Sequence, residues 1–134
     1  MMAERPGKVL FWMGDSRRRM RRFPADAREE AGHALYVAEC GGKHVSAKPL
    51  KGYGGASVVE IVEDSENGNT YRVVYTVKFR RALYVLHAFE KKSKTGIKTP
   101  QQDRDVIEQR LKDAKAHYKE YERENPEPQE ESDE

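Results

Sequence analysis

The side chains best suited by type and spacing to chemistry are Arg72, Lys91, Lys92, Lys94 and Lys98, all between Tyr71 and Pro100. Two β-branched and aromatic runs, YRVVYTVKF and ALYVLHAF, meet at Lys78–Arg81, and the second leads straight into EKKSKTGIKTP. A strand pair that delivers cations to one edge of a small sheet is suited to a polyanion. Guanidinium grips phosphate with two N–H bonds, while lysine supplies a compact charge. Lysine is a poor base near neutral pH, with an unperturbed pKa of about 10.4. Crowding Lys91, Lys92 and Lys94 beside Arg72 lowers some of these values, because each cation disfavours its neighbour's charge. The same residues have plainer readings. Arg72 alternates with Val74 and Thr76, which also fits a solvent-facing strand edge, and a lysine run also fits a solvated loop.

A second cation cluster is RRRMRR, Arg17–Arg22. As a short helix it presents charge around most of its circumference, and Arg17, Arg18 and Arg21 can bind nucleic-acid phosphates by simple electrostatics. A solvated face, or a dock for an acidic protein segment, fits equally. His87 alternates with Leu83, Val85 and Phe89, so it reads as a buried, hydrogen-bonded histidine rather than a catalytic one. His33, His44 and His117 are widely separated in sequence, and no HExxH spacing is present. No metal or cofactor is expected. Gly52-Tyr53-Gly54-Gly55 lacks the spacing of a phosphate loop, and Tyr53 is suited either to stacking on a base or to packing over its own loop.

The elements that must position these residues follow from periodicity. Lys8–Met13 reads as a well-covered strand, and Ser16 as N-cap of a short helix Arg17–Phe23. Ala27, Ala31, Ala34, Leu35 and Ala38 step by three and four within a helix Ala25–Cys40, which Gly41-Gly42 stops. Lys43–Gly55 reads as loop. Ser57–Val62, Thr70–Phe79 and Ala82–Phe89 read as strands, the first two joined through Asn67-Gly68. A third helix begins at Gln101, with Ile107, Leu111, Ala114, Tyr118 and Tyr121 on one stripe. The expected class is α+β, in the order β-α-α-β-β-β-α, with a mostly antiparallel sheet, the first strand inserted into it, and helices on one face.

At 134 residues and 15.4 kDa the chain has room for one modest core. Its net charge of +2 hides an asymmetry: KEYERENPEPQEESDE, residues 119–134, carries −6, so the rest carries +8. Such a body attracts phosphate or an acidic partner. The expected division is a folded domain over residues 1–121 and a disordered acidic tail over 122–134. Cys40 is the sole cysteine, which excludes an intrachain disulfide. No apolar run approaches the roughly 20 residues that cross a bilayer, and KVLFWM is too short for a signal peptide. The expected location is cytoplasmic, with no membrane partner.

The strand YRVVYTV, the segment LHAFEKKSKTGIKTP, the AKPLKGYGG before the second strand and the element order together resemble the RelE/HigB toxin superfamily, and within it the phage-derived HigB-like branch. The likeness spans about residues 6–118, and FEKKSKTGIKTP is its most specific part. It implies a RelE-like fold and the toxin of a type II toxin–antitoxin pair. It also implies a metal-independent endoribonuclease that cuts mRNA on the ribosome and is neutralised by a cognate helix-turn-helix antitoxin. On that resemblance Arg72, Lys91 and Lys92 are the catalytic candidates and Lys48 and Lys51 are RNA contacts; Lys94, from the lysine cluster, and Arg17, Arg18 and Arg21, from the arginine run, join them as expected RNA contacts by charge. No tyrosine follows the lysine cluster where some members have one; Thr99-Pro100 stands nearby. Some branches of the superfamily poison DNA gyrase without cutting RNA, so a non-catalytic binder of nucleic acid or protein is an open alternative, as is a phage accessory protein.

Overall fold

A computed structural model describes residues 7–55, 57–91 and 99–127. It is α+β, with β1 (Val9–Trp12), α1 (Ser16–Arg21), α2 (Ala25–Glu39), β2 (Ala47–Pro49), β3 (Val58–Asp64), β4 (Thr70–Thr76), β5 (Ala82–Lys91) and α3 (Gln101–Glu124). The five strands form one mixed sheet in the order β1-β5-β4-β3-β2. β1 pairs parallel to β5, and every other neighbouring pair is antiparallel. β1 is thus an edge strand, not an inserted one, and it is only partly buried.

The helices cover both faces of the sheet, not one. α1 and α2 bury Met20, Ala27, Ala31, Ala34 and Leu35 against Ile61, Val73, Tyr75 and Val85. α3 buries Ile107, Leu111, Ala114 and Tyr118 against Val58, Val74, Tyr84 and Leu86. The cause lies chiefly in β5, which is apolar at odd and even positions alike, with Val74 of β4 adding to the α3-covered face. A strand of that kind needs cover on both sides, since each large side chain left in water forgoes roughly 1.5–3 kcal/mol.

Local differences from the sequence expectation have physical causes. Ser16 is no N-cap; its hydroxyl donates to the Val85 carbonyl at 3.3 Å, and Asp15 precedes the helix. β2 forms within the expected loop, because Ala47–Pro49 supplies an outer partner for β3. β4 ends at Thr76, whose hydroxyl oxygen accepts the Lys78 N–H at 3.1 Å and turns the chain, leaving Phe79 to pack under α3. α3 continues to Glu124, past the boundary expected at residue 121, and Glu127 pairs with Arg80. Among the described residues no helix is long and apolar enough to cross a membrane.

One irregularity decides where the chemistry lies. Between β4 and β5 the register passes from Tyr75↔Val85 to Val74↔His87, so Leu86 is an extra residue. A bulge of this kind reverses which face each later residue meets. Arg110 of α3 pins it: Nη1 donates to the Leu86 carbonyl at 3.0 Å, and Nη2 bonds Asp15 at 2.8 Å.

Candidate phosphate-binding site

The pairing register places Lys48, Glu60, Arg72, Phe89 and Lys91 on the face that α3 covers. Lys48 lies opposite Glu60, Arg72 opposite Phe89, and Thr70 opposite Lys91. β4 is the middle strand, so Arg72 is not at a sheet edge. Its Nη1 donates to Glu60 Oε2 at 3.0 Å, and the two side chains are only 8% and 12% exposed. Sequence reading missed Glu60. The available signal was an acid in register with Val58 and Val62 in an otherwise apolar strand, which asks for a buried cation opposite.

Lys91, the last residue of β5, is also buried, at 8% exposure. Burial first, then the neighbouring charge of Arg72, pushes its pKa below the usual lysine value, and Glu60 acts in the opposite direction. The crowding expected between Lys91 and Arg72 is therefore present, but desolvation outweighs it. Lys92, Lys94 and Lys98 lie outside the described residues.

The bulge carries His87 to this same face. It stacks on Phe89 with ring centres 5.0 Å apart, and it no longer shares a face with Leu83 and Val85 as strict alternation implied. His87 is 2% exposed, and Nε2 lies 2.8 Å from Asp103 Oδ1, in the first turn of α3. Desolvation lowers its pKa, against the opposing pull of Asp103 and with help from the charges of Arg110 and Arg19. A neutral ring facing a carboxylate carries its proton on Nε2 and leaves Nδ1 as an acceptor. Asp103 was also missed, because the contact joins elements that periodicity cannot bring together.

The loop after β2 leans over this end of the sheet. The Arg104 guanidinium lies 5.7 Å from the Tyr53 ring centre. Burial raises the Tyr53 pKa, and Glu60 lies close enough to add to that rise. Tyr53 Oη, Arg72 Nε and His87 Nδ1 are buried and have no hydrogen-bond partner among the described residues. Buried polar atoms are nearly always paired, so Tyr53 Oη and Arg72 Nε leave hydrogen-bonding capacity at this end of the sheet. Lys48 and Lys51 are exposed at the rim, Lys48 beside Glu60 and Lys51 in the Tyr53 loop.

Arg17, Arg18 and Arg21 do not join this cluster, because α1 packs on the opposite face; Arg17 lies over Trp12 at 6.0 Å. His33 and His44, distant in sequence, come together with ring centres 5.2 Å apart, and Glu30 completes a group whose ligand atoms lie within 4.8 Å of one another. Its hydrogen bonding opposes metal binding. The Ser46 N–H donates to His44 Nδ1 at 3.0 Å, which holds the imidazole proton on Nε2, the atom facing Glu30. A metal would need that proton gone, with Nδ1 donating outward.

No curated protein matches the chain. The profile of the phage-derived protein Gp49-like family (DUF891) matches residues 18–112. That span runs from α1 well into α3 and includes Lys48, Glu60, Arg72, His87, Lys91 and Asp103. The chain with the buried Arg72–Glu60 pair and the His87–Asp103 contact therefore belongs to the phage-derived Gp49-like family.

Proposed function

We propose that this chain is the toxin of a type II toxin–antitoxin pair and cuts ribosome-bound mRNA without a metal. Family membership and the RelE/HigB resemblance support the setting. The observation that carries the chemistry is the meeting of Arg72, Lys91, Glu60 and the unpartnered Tyr53 and Arg72 atoms at one end of the α3-covered face. The 2′-oxygen attacks its own phosphorus, the P–O5′ bond breaks, and a cyclic phosphate and a 5′-hydroxyl result. One proton leaves the 2′-OH and one reaches the departing O5′. Arg72 stabilises the charge on the phosphorane oxygens, with Glu60 holding its guanidinium plane in place. Lys91, with its lowered pKa, exchanges the proton. His87 is too buried to touch the scissile group; with Asp103 it fixes the Phe89 ring and the β5 backbone that carry Lys91.

Programmed ribosomes given the purified chain test this. Expected are discrete cuts in the mRNA with 2′,3′-cyclic phosphate ends, together with arrested growth on induction. Intact mRNA and unaffected growth refute it. The binding-only alternative has one observation in its favour: Arg72 is already neutralised by Glu60. On that reading the chain binds ribosomes or RNA and no new ends form.

A further inference from the structure

The arginine run of α1 is divided by the fold into two groups. Residues four apart share a helix face. Arg17 and Arg21 join Arg28 around Trp12, beside a groove of about 340 Å³. Arg18, Arg19 and Arg22 line a different cavity of about 270 Å³, walled by Phe23, Tyr71 and Glu90.

The second cavity has a particular place on the sheet. β1 pairs with β5 only over Ala82–Val85, whereas the cavity's wall on β5 is Ala88–Glu90. Among the described residues no strand covers that edge of β5 there. Lys91 is the next residue after the wall, and its side chain belongs to the opposite face. The arginine cavity and the Arg72–Lys91 site thus lie on the two sides of one short strand segment. Arg19 is near enough for its charge to bear on His87. The acids nearby are already engaged. Glu90 accepts from the Asn69 amide at 2.5 Å and lies 3.5 Å from the Tyr71 hydroxyl. Asp15 takes Arg19 Nε and Arg110, both at 2.8 Å, and Arg18 Nη2 more loosely at 3.4 Å. Arg19 keeps its terminal N–H groups, and Arg22 makes no side-chain hydrogen bond to any described residue.

We infer that this cavity is a second phosphate subsite, which takes the RNA strand as it passes around the open edge of β5 from the Arg72–Lys91 face. The inference rests on the proposed action on RNA and adds the path and residues of a second contact. Its occupant is single-stranded RNA, bound by backbone phosphate without base reading.

The test compares two double variants of the full chain that lose the same charge from the same helix. All four arginines are exposed, so their replacement leaves the core intact. Binding of a labelled single-stranded oligoribonucleotide is measured across a salt series. Each phosphate contact on a single strand contributes about 0.7 to the slope of log K against log salt. R18Q/R22Q is expected to reduce the slope by about 1.4, the value for two contacts, and R17Q/R21Q to leave it as in the wild type. Equal losses in both variants overturn the inference in favour of a diffuse field. An unchanged slope in R18Q/R22Q overturns it in favour of solvated arginines or an acidic protein partner, and an unbound wild type overturns it as well. Cleavage on ribosomes is scored separately: cutting with no slope change removes only the subsite, while the expected slopes without cutting remove only the nuclease.

Discussion

Arg72→Ala is expected to damage the fold as well as the activity, and the size of the damage can be worked from its surroundings. An arginine on a solvent-facing strand edge can be truncated at little cost. Here the guanidinium is buried against Glu60 on the adjacent strand. Removing it strands a carboxylate that has lost its water, and breaking a buried pair in this way costs about 3–5 kcal/mol. For a domain of this size each kcal/mol lowers the melting temperature by about 4 °C, so a drop of roughly 12–20 °C follows. The partner-matched double variant, Glu60→Leu with Arg72→Met, removes both charges and roughly keeps the volume. It is expected to recover most of that loss, since apolar replacement of both partners is often neutral or better. Thermal unfolding followed by circular dichroism measures all three proteins, and growth on induction is scored per amount of soluble protein. Toxicity is expected to be absent in both variants, including the restabilised double. Arg72→Ala with wild-type melting refutes the buried pair; a stable, fully toxic double variant refutes the assignment of Arg72 to the reaction.

Further outcomes follow from the same geometry. His87 has a folded pKa below its unfolded value of about 6.5, so the unfolded chain takes up a proton that the native one resists, and stability falls as pH drops below that value. His87→Gln should flatten this decline in urea midpoints between about pH 7.5 and about pH 5.5, and Asp103→Asn, which removes the group opposing the shift, should extend it to lower pH. Asp15 is held well below the usual carboxylate range by its hydrogen bond to Arg19 and by Arg110, so its contribution is present above about pH 3.9 and lost on acidification; Asp15→Asn should lose stability at neutral pH and show less further loss in acid. Gly14→Ala, at φ +55° and with a Cβ built 2.5 Å from the Arg110 guanidinium carbon, should disturb the same junction by about 1–3 kcal/mol in denaturant titration. Lys91→Arg keeps the charge but cannot give up a proton at accessible pH, so ribosome binding should persist while the cleavage rate collapses; normal cleavage removes proton transfer from Lys91 and moves it to Lys92, tested by the same substitution.

Much of the architecture was legible because it is local. The alanine stripe of α2, the Asn67-Gly68 turn and the stripe of α3 rest on spacing within one element, and all fold as their periodicity requires. What the sequence hid depends on pairing between elements. Strict alternation gives the wrong face for His87 relative to Leu83 and Val85, because one extra residue at Leu86 reverses the parity, and the arginine that secures that bulge lies on a helix 24 positions later. The same holds for the site. Arg72 could be singled out by type, but its burial comes from β5 and β3 on either side, and its partner Glu60 belongs to a strand joined through a turn. The lysines of the β5 extension were visible as charge, yet burial decides the state of Lys91 more than the crowding that composition suggests.

The placement of α3 gives meaning to a net charge that by itself says little. Asp103, in its first turn, meets His87 near the C-terminal end of β5, while Tyr118 accepts the Arg81 N–H near the N-terminal end. The helix therefore runs antiparallel to β5 and spans about 36 Å at 1.5 Å per residue. Glu120, Glu122, Glu124 and Glu127 are carried to the far end, where Glu127 pairs with Arg80. From Arg80 to Lys91 along the strand is also about 36 Å. These four acids are thus held away from the Arg72–Lys91 face. The N-terminus of α3, where the helix dipole favours an anion, lies on the cationic side. On the proposed action on RNA, this end of the molecule, where the α3 N-terminus, Arg72 and Lys91 come together, is the end that a phosphate is expected to meet.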